Sequence, residues 1–73
     1  MELAASTVYR VSVSRELADR IKCDRRVDVW SRRFVGEAVT VVFRARRRFH
    51  WTQSETPTVV DVQRLALPSG ALR

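Results

Sequence analysis

A basic stretch near the middle of the chain contains the residues best suited to bind another molecule. The sequence RARRRFHWTQ, at positions 44–53, holds four arginines, one histidine and two large aromatic residues, and it holds no acidic residue. A guanidinium group binds phosphate or carboxylate through two parallel hydrogen bonds, and it also stacks on aromatic rings. The stretch therefore suits a phosphate-bearing polymer or an acidic protein surface, and the alternative is a solvated sheet face whose cations prevent edge pairing.

The alternation of apolar and polar residues across positions 38–51 predicts that this stretch belongs to a long β-strand. The apolar positions of one parity are Val39, Val41, Phe43, Ala45, Phe49 and Trp51. The other parity includes Arg44, Arg46, Arg48 and His50, which a strand would place about 6.6 Å apart on its solvent face. Such a row of donors suits a polyanion with regularly spaced charges. Arg47 breaks the alternation, which indicates a bulge or a bend.

A second stretch, VWSRRF at positions 29–34, repeats the combination of an aromatic ring with two arginines. If residues 27–35 form a strand beside the first stretch, the two make one basic and aromatic surface. Trp30 and Trp51 are candidates for half-exposed rings that stack on a base or on a partner's side chain, and the alternative is that each closes the small core. The candidate partner-binding residues are therefore Arg44, Arg46, Arg47, Arg48, His50, Trp51, Trp30, Arg32 and Arg33.

The other reactive side chains do not indicate an enzyme. Cys23 and His50 are the single cysteine and the single histidine, and a nucleophile–base pair needs a third group that the sequence does not suggest. The eight acidic residues are scattered singly, and several stand beside arginines, as in CDRRVD. One cysteine with one histidine makes no recognisable zinc site, and two glycines are too few for a glycine-rich phosphate loop. We therefore expect no enzymatic activity, no cofactor and no metal.

The composition indicates one small domain with an acidic partner. The chain has 73 residues, of which 45% are hydrophobic and 30% are charged, so it can fold around a thin core. Its formal net charge is +6, and thirteen of its fourteen cations are arginine. Nucleic acid or an acidic protein surface is therefore a more suitable partner than a membrane. The single cysteine fits a reducing cytoplasm.

The pattern of the chain predicts an α+β fold with the element order β-α-β-β-β, in which one short helix lies across a mainly antiparallel sheet. A helix is expected over about 15–23, with Ser14 as its N-terminal cap. Residues 24–36 fit either a strand or a helix, and their valines together with a GE turn favour a strand. The other expected strands follow from alternation and cover 7–13, 38–51 and 58–66.

The domain is expected to occupy residues 7–67, between a flexible N-terminus at 1–6 and a flexible tail at 68–73. The opening sequence MELAASTVYR has neither a basic region nor a long apolar run, so we expect no signal peptide. We also expect no membrane-spanning segment and a monomeric protein.

The chain from MELAASTVYRVSVSRELADRIKCDRR to RLALPSGALR resembles small regulators of bacterial RNA polymerase that are encoded by phages of Xanthomonas. The resemblance covers the whole chain and rests on its length, its arginine-rich composition and its overall run of residues. It implies binding to the host polymerase near the N-terminus of the β′ subunit, in the cytoplasm of the infected bacterium. It further implies inhibition of promoter initiation, by weakening the hold of the sigma factor, and suppression of termination.

Two other functions remain open from the sequence. A small basic protein could bind DNA or RNA directly, without polymerase, and its affinity would then fall steeply as salt rises. A protein of a virion could instead place its arginines against packaged nucleic acid. The resemblance assigns no interface residues, so the candidate partner-binding residues rest on the sequence pattern alone.

Overall fold

Four alternating segments form one antiparallel sheet in the computed structural model, which describes residues 2–66. The elements in chain order are β1 (Glu2–Leu3), β2 (Val8–Ser14), α1 (Arg15–Lys22), β3 (Val27–Val35), β4 (Ala38–Ala45), β5 (Phe49–His50), a 3-10 turn (Thr56–Thr58) and β6 (Val59–Leu65). The sheet has the strand order β3-β4-β2-β6, and β1 and β5 form a separate two-stranded sheet. The predicted α+β fold and its order β-α-β-β-β are confirmed, with two short strands added.

The core lies between α1 and one face of the four-stranded sheet. The helix buries Leu17, Ala18 and Ile21. The sheet meets them with side chains of β2 and β4 that follow the period-two pattern of a half-buried strand. These strand residues are Tyr9, Val11, Val13, Val39, Val41, Phe43 and Ala45. The helix begins as predicted, since the backbone N–H of Leu17 donates to the Ser14 hydroxyl at 3.2 Å.

Residues 27–35 form a strand, as their β-branched valines predict. A two-residue loop of Gly36 and Glu37 joins β3 to β4, with Val35 opposite Ala38. Gly36 has a φ of 62°, and glycine at the first loop position is the pattern of a type II′ hairpin turn. The register of β3 against β4 shifts between Val29 and Ser31, so Trp30 is the extra residue of a β-bulge.

The long strand expected over 38–51 is interrupted, and the bulge or bend expected at Arg47 is a bend. β4 ends at Ala45, and Arg46, Arg47 and Arg48 form a bend before β5. A straight strand would turn the Arg47 guanidinium toward the core, where an unpaired charge is costly. The bend leaves Arg47 exposed. It also preserves the predicted inward positions further along the chain, since Phe49 and Trp51 are each only 8% exposed.

The expected flexible N-terminus at 1–6 is also corrected for the residues that the structure describes. Leu3 is fully buried, and β1 pairs antiparallel with β5, with Leu3 opposite Phe49. The backbone N–H of Ala4 donates to the Tyr9 hydroxyl at 2.8 Å. Two residues are too few to display an alternating pattern, which is why the sequence did not indicate this strand. The tail expected at 68–73 lies outside the described residues.

Candidate binding surface

The face of the four-stranded sheet opposite α1, here called the outer face, brings together residues from all four strands. Opposed residues of an antiparallel pair project from the same face, so the pairing register identifies the residues that share it. The central row of the outer face contains Ser31, Val42, Arg10 and Gln63. The row beside it contains Arg33, Thr40, Ser12 and Asp61. No helix within residues 2–66 packs on this face.

Three exposed arginines on the outer face come from three different strands. They are Arg10 on β2, Arg33 on β3 and Arg44 on β4. Within residues 2–66, none of the three forms an ion pair. Arg10 is oriented by its hydrogen bonds to the side-chain oxygen of Gln63, one of them 3.0 Å long from Nε. Because the Gln63 side chain is neutral, Arg10 keeps its full charge for a partner.

An open depression of about 540 Å³ lies on this face between Arg10 and Arg33. Val35 and Val42 supply its apolar lining, and the other residues around it are Arg10, Ser31, Arg32, Arg33 and Thr40. Hydroxyl and guanidinium donors beside apolar carbon suit a ligand group that carries a carboxylate or a phosphate. The depression therefore provides a place for one anionic side chain or one phosphate group of a larger partner.

Arg10 is the residue of this surface that the sequence did not single out. The alternation of β2 already placed it on the face opposite Tyr9 and Val11. Its neighbours, however, depend on the pairing of β2 with β4, and these strands are separated in the sequence by the helix and by β3. No local pattern specifies that pairing, so nothing in the sequence groups Arg10 with Arg33 and Arg44.

The predicted single row of cations is divided between two parts of the molecule. Arg44 lies on the outer face, whereas Arg46, Arg47 and Arg48 lie in the bend and His50 lies on β5. Arg46 stands 3.7 Å from a carboxylate oxygen of Asp28, and Arg48 Nε and His50 Nε2 each stand 3.5 Å from the same oxygen of Glu2. These contacts are exposed and long, so they contribute little to stability and leave the side chains accessible.

The two tryptophans have different environments. Trp51 is 8% exposed and packs edge-on against Phe43 and Phe49, at centroid distances of 6.3 and 5.6 Å. The structure thus places it in the core and not on a stacking surface. Trp30 is 52% exposed, and Phe34, which the sequence did not single out, is 60% exposed. The exposed aromatic rings therefore belong to β3.

The adjacent arginines Arg32 and Arg33 lie on opposite faces of β3, as alternation requires. Arg32 is half-buried and forms an ion pair of 3.0 Å with Asp19 of α1. It therefore links β3 to the helix. Arg33 is exposed beside Thr40 on the outer face. Of the two candidates in this stretch, only Arg33 is free to contact a partner on that face.

Arg26 links the loop between α1 and β3 to the loop that follows β5. Its guanidinium pairs with Asp24 at 2.6 Å and with Glu55 at 3.3 Å, and it lies over the ring of Phe49 at 4.4 Å. Burial alone would raise the pKa of Asp24, but the hydrogen bonds and charge of Arg26 outweigh it and hold that pKa below its usual value. The hydrogen bond to Asp24 correspondingly raises the pKa of Arg26. This arginine therefore has a structural role.

Residues 2–66 contain no cluster of three or more histidine, cysteine, aspartate or glutamate side chains that could hold a metal ion. Cys23 is exposed at the end of α1, whereas His50 lies on β5. Within the same residues, no helix has the length and apolar character needed to cross a membrane. Comparison of the chain with protein-family models, with curated proteins and with solved structures finds no match.

Proposed function

We propose that this chain is a phage-encoded, non-enzymatic binding protein that regulates the RNA polymerase of its bacterial host. In this proposal it acts in the cytoplasm of the infected cell and binds near the N-terminus of the β′ subunit. It inhibits initiation by antagonising the sigma factor, and it suppresses termination. The choice of polymerase rests on the resemblance of the whole chain to small phage regulators of that enzyme.

The observation that supports a binding role is the set of three arginines, Arg10, Arg33 and Arg44, on the outer face. Within residues 2–66 they have no ion pair, and no helix covers that face. Arginine is among the side chains most enriched at the energetic centres of protein interfaces. A standard interface needs only about 800 Å² from each partner, which a small single domain can supply. The outer face thus suits an acidic region of a protein partner.

The test is binding of the purified chain to the purified core RNA polymerase of a Xanthomonas host. We expect a stable complex at moderate salt, and we expect R10E/R33E to weaken it at least tenfold. The matched control is R20E/R25E, which changes the net charge equally at two exposed positions outside the outer face. The control should bind within about twofold of the wild type.

Transcription assays then test the regulatory part of the proposal. The wild-type chain should reduce transcription from a sigma-dependent promoter and increase read-through at a terminator, and R10E/R33E should do neither. Failure of the wild-type chain to bind core polymerase would contradict the proposal. Equal loss of binding in both charge-reversed variants would show that net charge, and not the outer face, holds the complex.

Direct binding of nucleic acid is the second candidate function. It is favoured by the hydroxyls of Ser31 and Thr40, which line the same depression as Arg10 and Arg33 and could donate to phosphate oxygens. Contacts from three arginines predict a slope of roughly −2 in log affinity against log salt for a single strand. Fluorescence anisotropy with a labelled single strand measures this slope, and absence of binding at low salt would exclude this function.

A further inference from the structure

β3 is an edge strand of the four-stranded sheet, and among residues 2–66 only β4 pairs with it. An edge strand presents alternate backbone N–H and C=O groups that have no partner within the sheet. After the bulge at Trp30, residues 31–35 run in regular register against β4 up to the hairpin turn. This regular segment is long enough to pair with a short extended peptide.

The hairpin indicates which backbone groups of this segment point away from the sheet. In a tight turn the carbonyl of the first residue accepts from the N–H of the fourth, so Val35 and Ala38 form a hydrogen-bonded pair. Hydrogen-bonded and non-hydrogen-bonded pairs alternate along an antiparallel ladder. The backbone groups of Phe34 and Arg32 therefore point toward the open edge.

β3 carries large apolar side chains that are exposed, beside its charged residues Asp28, Arg32 and Arg33. Trp30, Phe34 and Val35 are 52%, 60% and 58% exposed, and Val60 is the only other large hydrophobic residue that is exposed in the described part of the chain. Charges and bulges usually prevent an edge strand from pairing with another chain, and in β3 the bulge lies at Trp30, before the regular segment 31–35. A concentration of exposed apolar side chains at one edge is typical of a surface that a partner covers.

The charges around this edge indicate which kind of partner is favoured. Arg33 is exposed without an ion pair within residues 2–66, and the guanidinium of Arg15 lies over the ring of Phe34 at 5.2 Å. A second copy of the chain would bring together two chains of formal net charge +6, which repel each other. An acidic segment instead neutralises these cations, so charge complementarity favours it over self-association.

We propose that the open edge of β3 binds an extended acidic segment of a protein partner as an additional strand. Residues of that strand alternate between the two faces of the sheet. Those on the α1 side pack apolar side chains against Phe34, and those on the outer side place carboxylates beside Arg33 and the depression that it lines. The proposal rests on the proposed function in treating the chain as a protein-binding module, and it adds the mode of binding and the chemistry of the segment.

A synthetic heptapeptide of alternating glutamate and valine, blocked at both ends, is the probe for this edge. We expect its addition to shift the backbone amide resonances of residues 31–35 and to slow hydrogen exchange of the Phe34 amide at least tenfold at saturation. Two control peptides should have no such effect. In one, lysine replaces glutamate; in the other, alternate backbone nitrogens are methylated and cannot donate.

Two variants at one position separate the backbone contact from the apolar contact. F34P removes the N–H that points to the edge and leaves the hydrogen bonds to β4, as proline on an edge strand can. F34A keeps the N–H and removes the ring. We expect F34P to abolish peptide binding and F34A to weaken it severalfold. If F34P does not fold, hydrogen exchange of the wild-type chain with the two control peptides still decides the proposal.

Peptide-induced changes located outside residues 31–35, or an equal effect of the methylated peptide, would overturn strand addition at β3. A dimer of the free chain that pairs through β3 would overturn it as well.

The outcomes with core polymerase distinguish the edge proposal from the proposed function. If polymerase binds F34P and the wild type equally, the edge proposal fails and the regulatory proposal stands. If the peptide adds to β3 but polymerase does not bind the wild-type chain, the edge proposal stands and the regulatory proposal fails.

Discussion

Arg26 and Arg33 show how the same residue type has different uses within one small domain. Arg26 is largely buried in its contacts with Asp24, Glu55 and the ring of Phe49, so its charge is neutralised by the chain itself. Arg33 is exposed and, within residues 2–66, has no ion pair. Exposed cations that a fold does not use are the ones available to a partner. The sequence alone did not separate these roles, because the carboxylate of Glu55 lies 29 positions from Arg26.

The contact between Arg26 and Asp24 predicts a pH dependence of stability. The pKa of Asp24 is lowered in the folded chain, so the folded state favours the ionised carboxylate. This contribution is fully present above the unfolded pKa, about 3.8, and is lost as the pH falls through the lower folded pKa. We therefore expect D24N to melt at a lower temperature than the wild type at pH 7. The difference in melting temperature between the two proteins, here called the gap, should narrow as the pH falls below about 3.8.

Thermal denaturation followed by circular dichroism across this pH range measures the gap between the two proteins. D61N is the matched control, because Asp61 is exposed and has no ion pair within residues 2–66. Its melting temperature should stay close to that of the wild type at every pH. A gap for D24N that is constant from pH 7 to strongly acid solution would show that Asp24 does not contribute through its charge.

Among the elements, the strands that bury one face and the interruption near Arg47 were predictable from the sequence, whereas the residue at which β4 ends was not. Val39, Val41 and Phe43 recur at every second position and share the buried face of β4, as a period of two predicts. The end of β4 at Ala45 depends on hydrogen bonds with distant segments, such as that from the Arg46 N–H to the Arg26 carbonyl at 2.8 Å. A periodicity of neighbouring residues contains no information about such contacts.

The hairpin between β3 and β4 positions both the open edge of β3 and the outer face. Gly36 has a φ of 62°, and a Cβ built there would meet no atom within 4 Å. The cost of a side chain is therefore conformational and not steric. We expect G36A to lower the free energy of unfolding by about 1–2 kcal/mol. A loss of 1 kcal/mol corresponds to roughly 4–8 °C in melting temperature for a domain of this size.

The control for this substitution is E37A, at the neighbouring loop position, where the backbone is not left-handed. It should melt within about 2 °C of the wild type, since exposed substitutions usually change stability by less than about 0.5 kcal/mol. Equal melting temperatures for G36A and E37A would mean that the turn adapts to a side chain at no cost. In that case the hairpin would not be the rigid element that fixes the register of β3.

At the scale of the whole molecule, the excess of positive charge is concentrated in cations that the fold does not pair. Nine of the thirteen lysines and arginines of residues 2–66 have no ion pair among those residues. They are Arg10, Arg15, Arg20, Lys22, Arg25, Arg33, Arg44, Arg47 and Arg64. Mutual repulsion among so many cations opposes the compact state. Three of the nine, Arg10, Arg33 and Arg44, lie on the outer face, where an acidic partner would relieve part of this repulsion.

Arg33 allows stability and binding to be separated in one variant. R33T removes a cation that has no ion pair within residues 2–66, and it places a β-branched residue opposite Thr40, a favourable cross-strand pair. We expect its melting temperature to equal or exceed that of the wild type, while its affinity for core polymerase falls about fivefold, or roughly 1 kcal/mol. Titration of both proteins with polymerase, together with their thermal denaturation, measures the two effects. A lower melting temperature without any loss of affinity would mean that Arg33 supports the fold, and the outer face would then lose one of its three arginines as a contact for a partner.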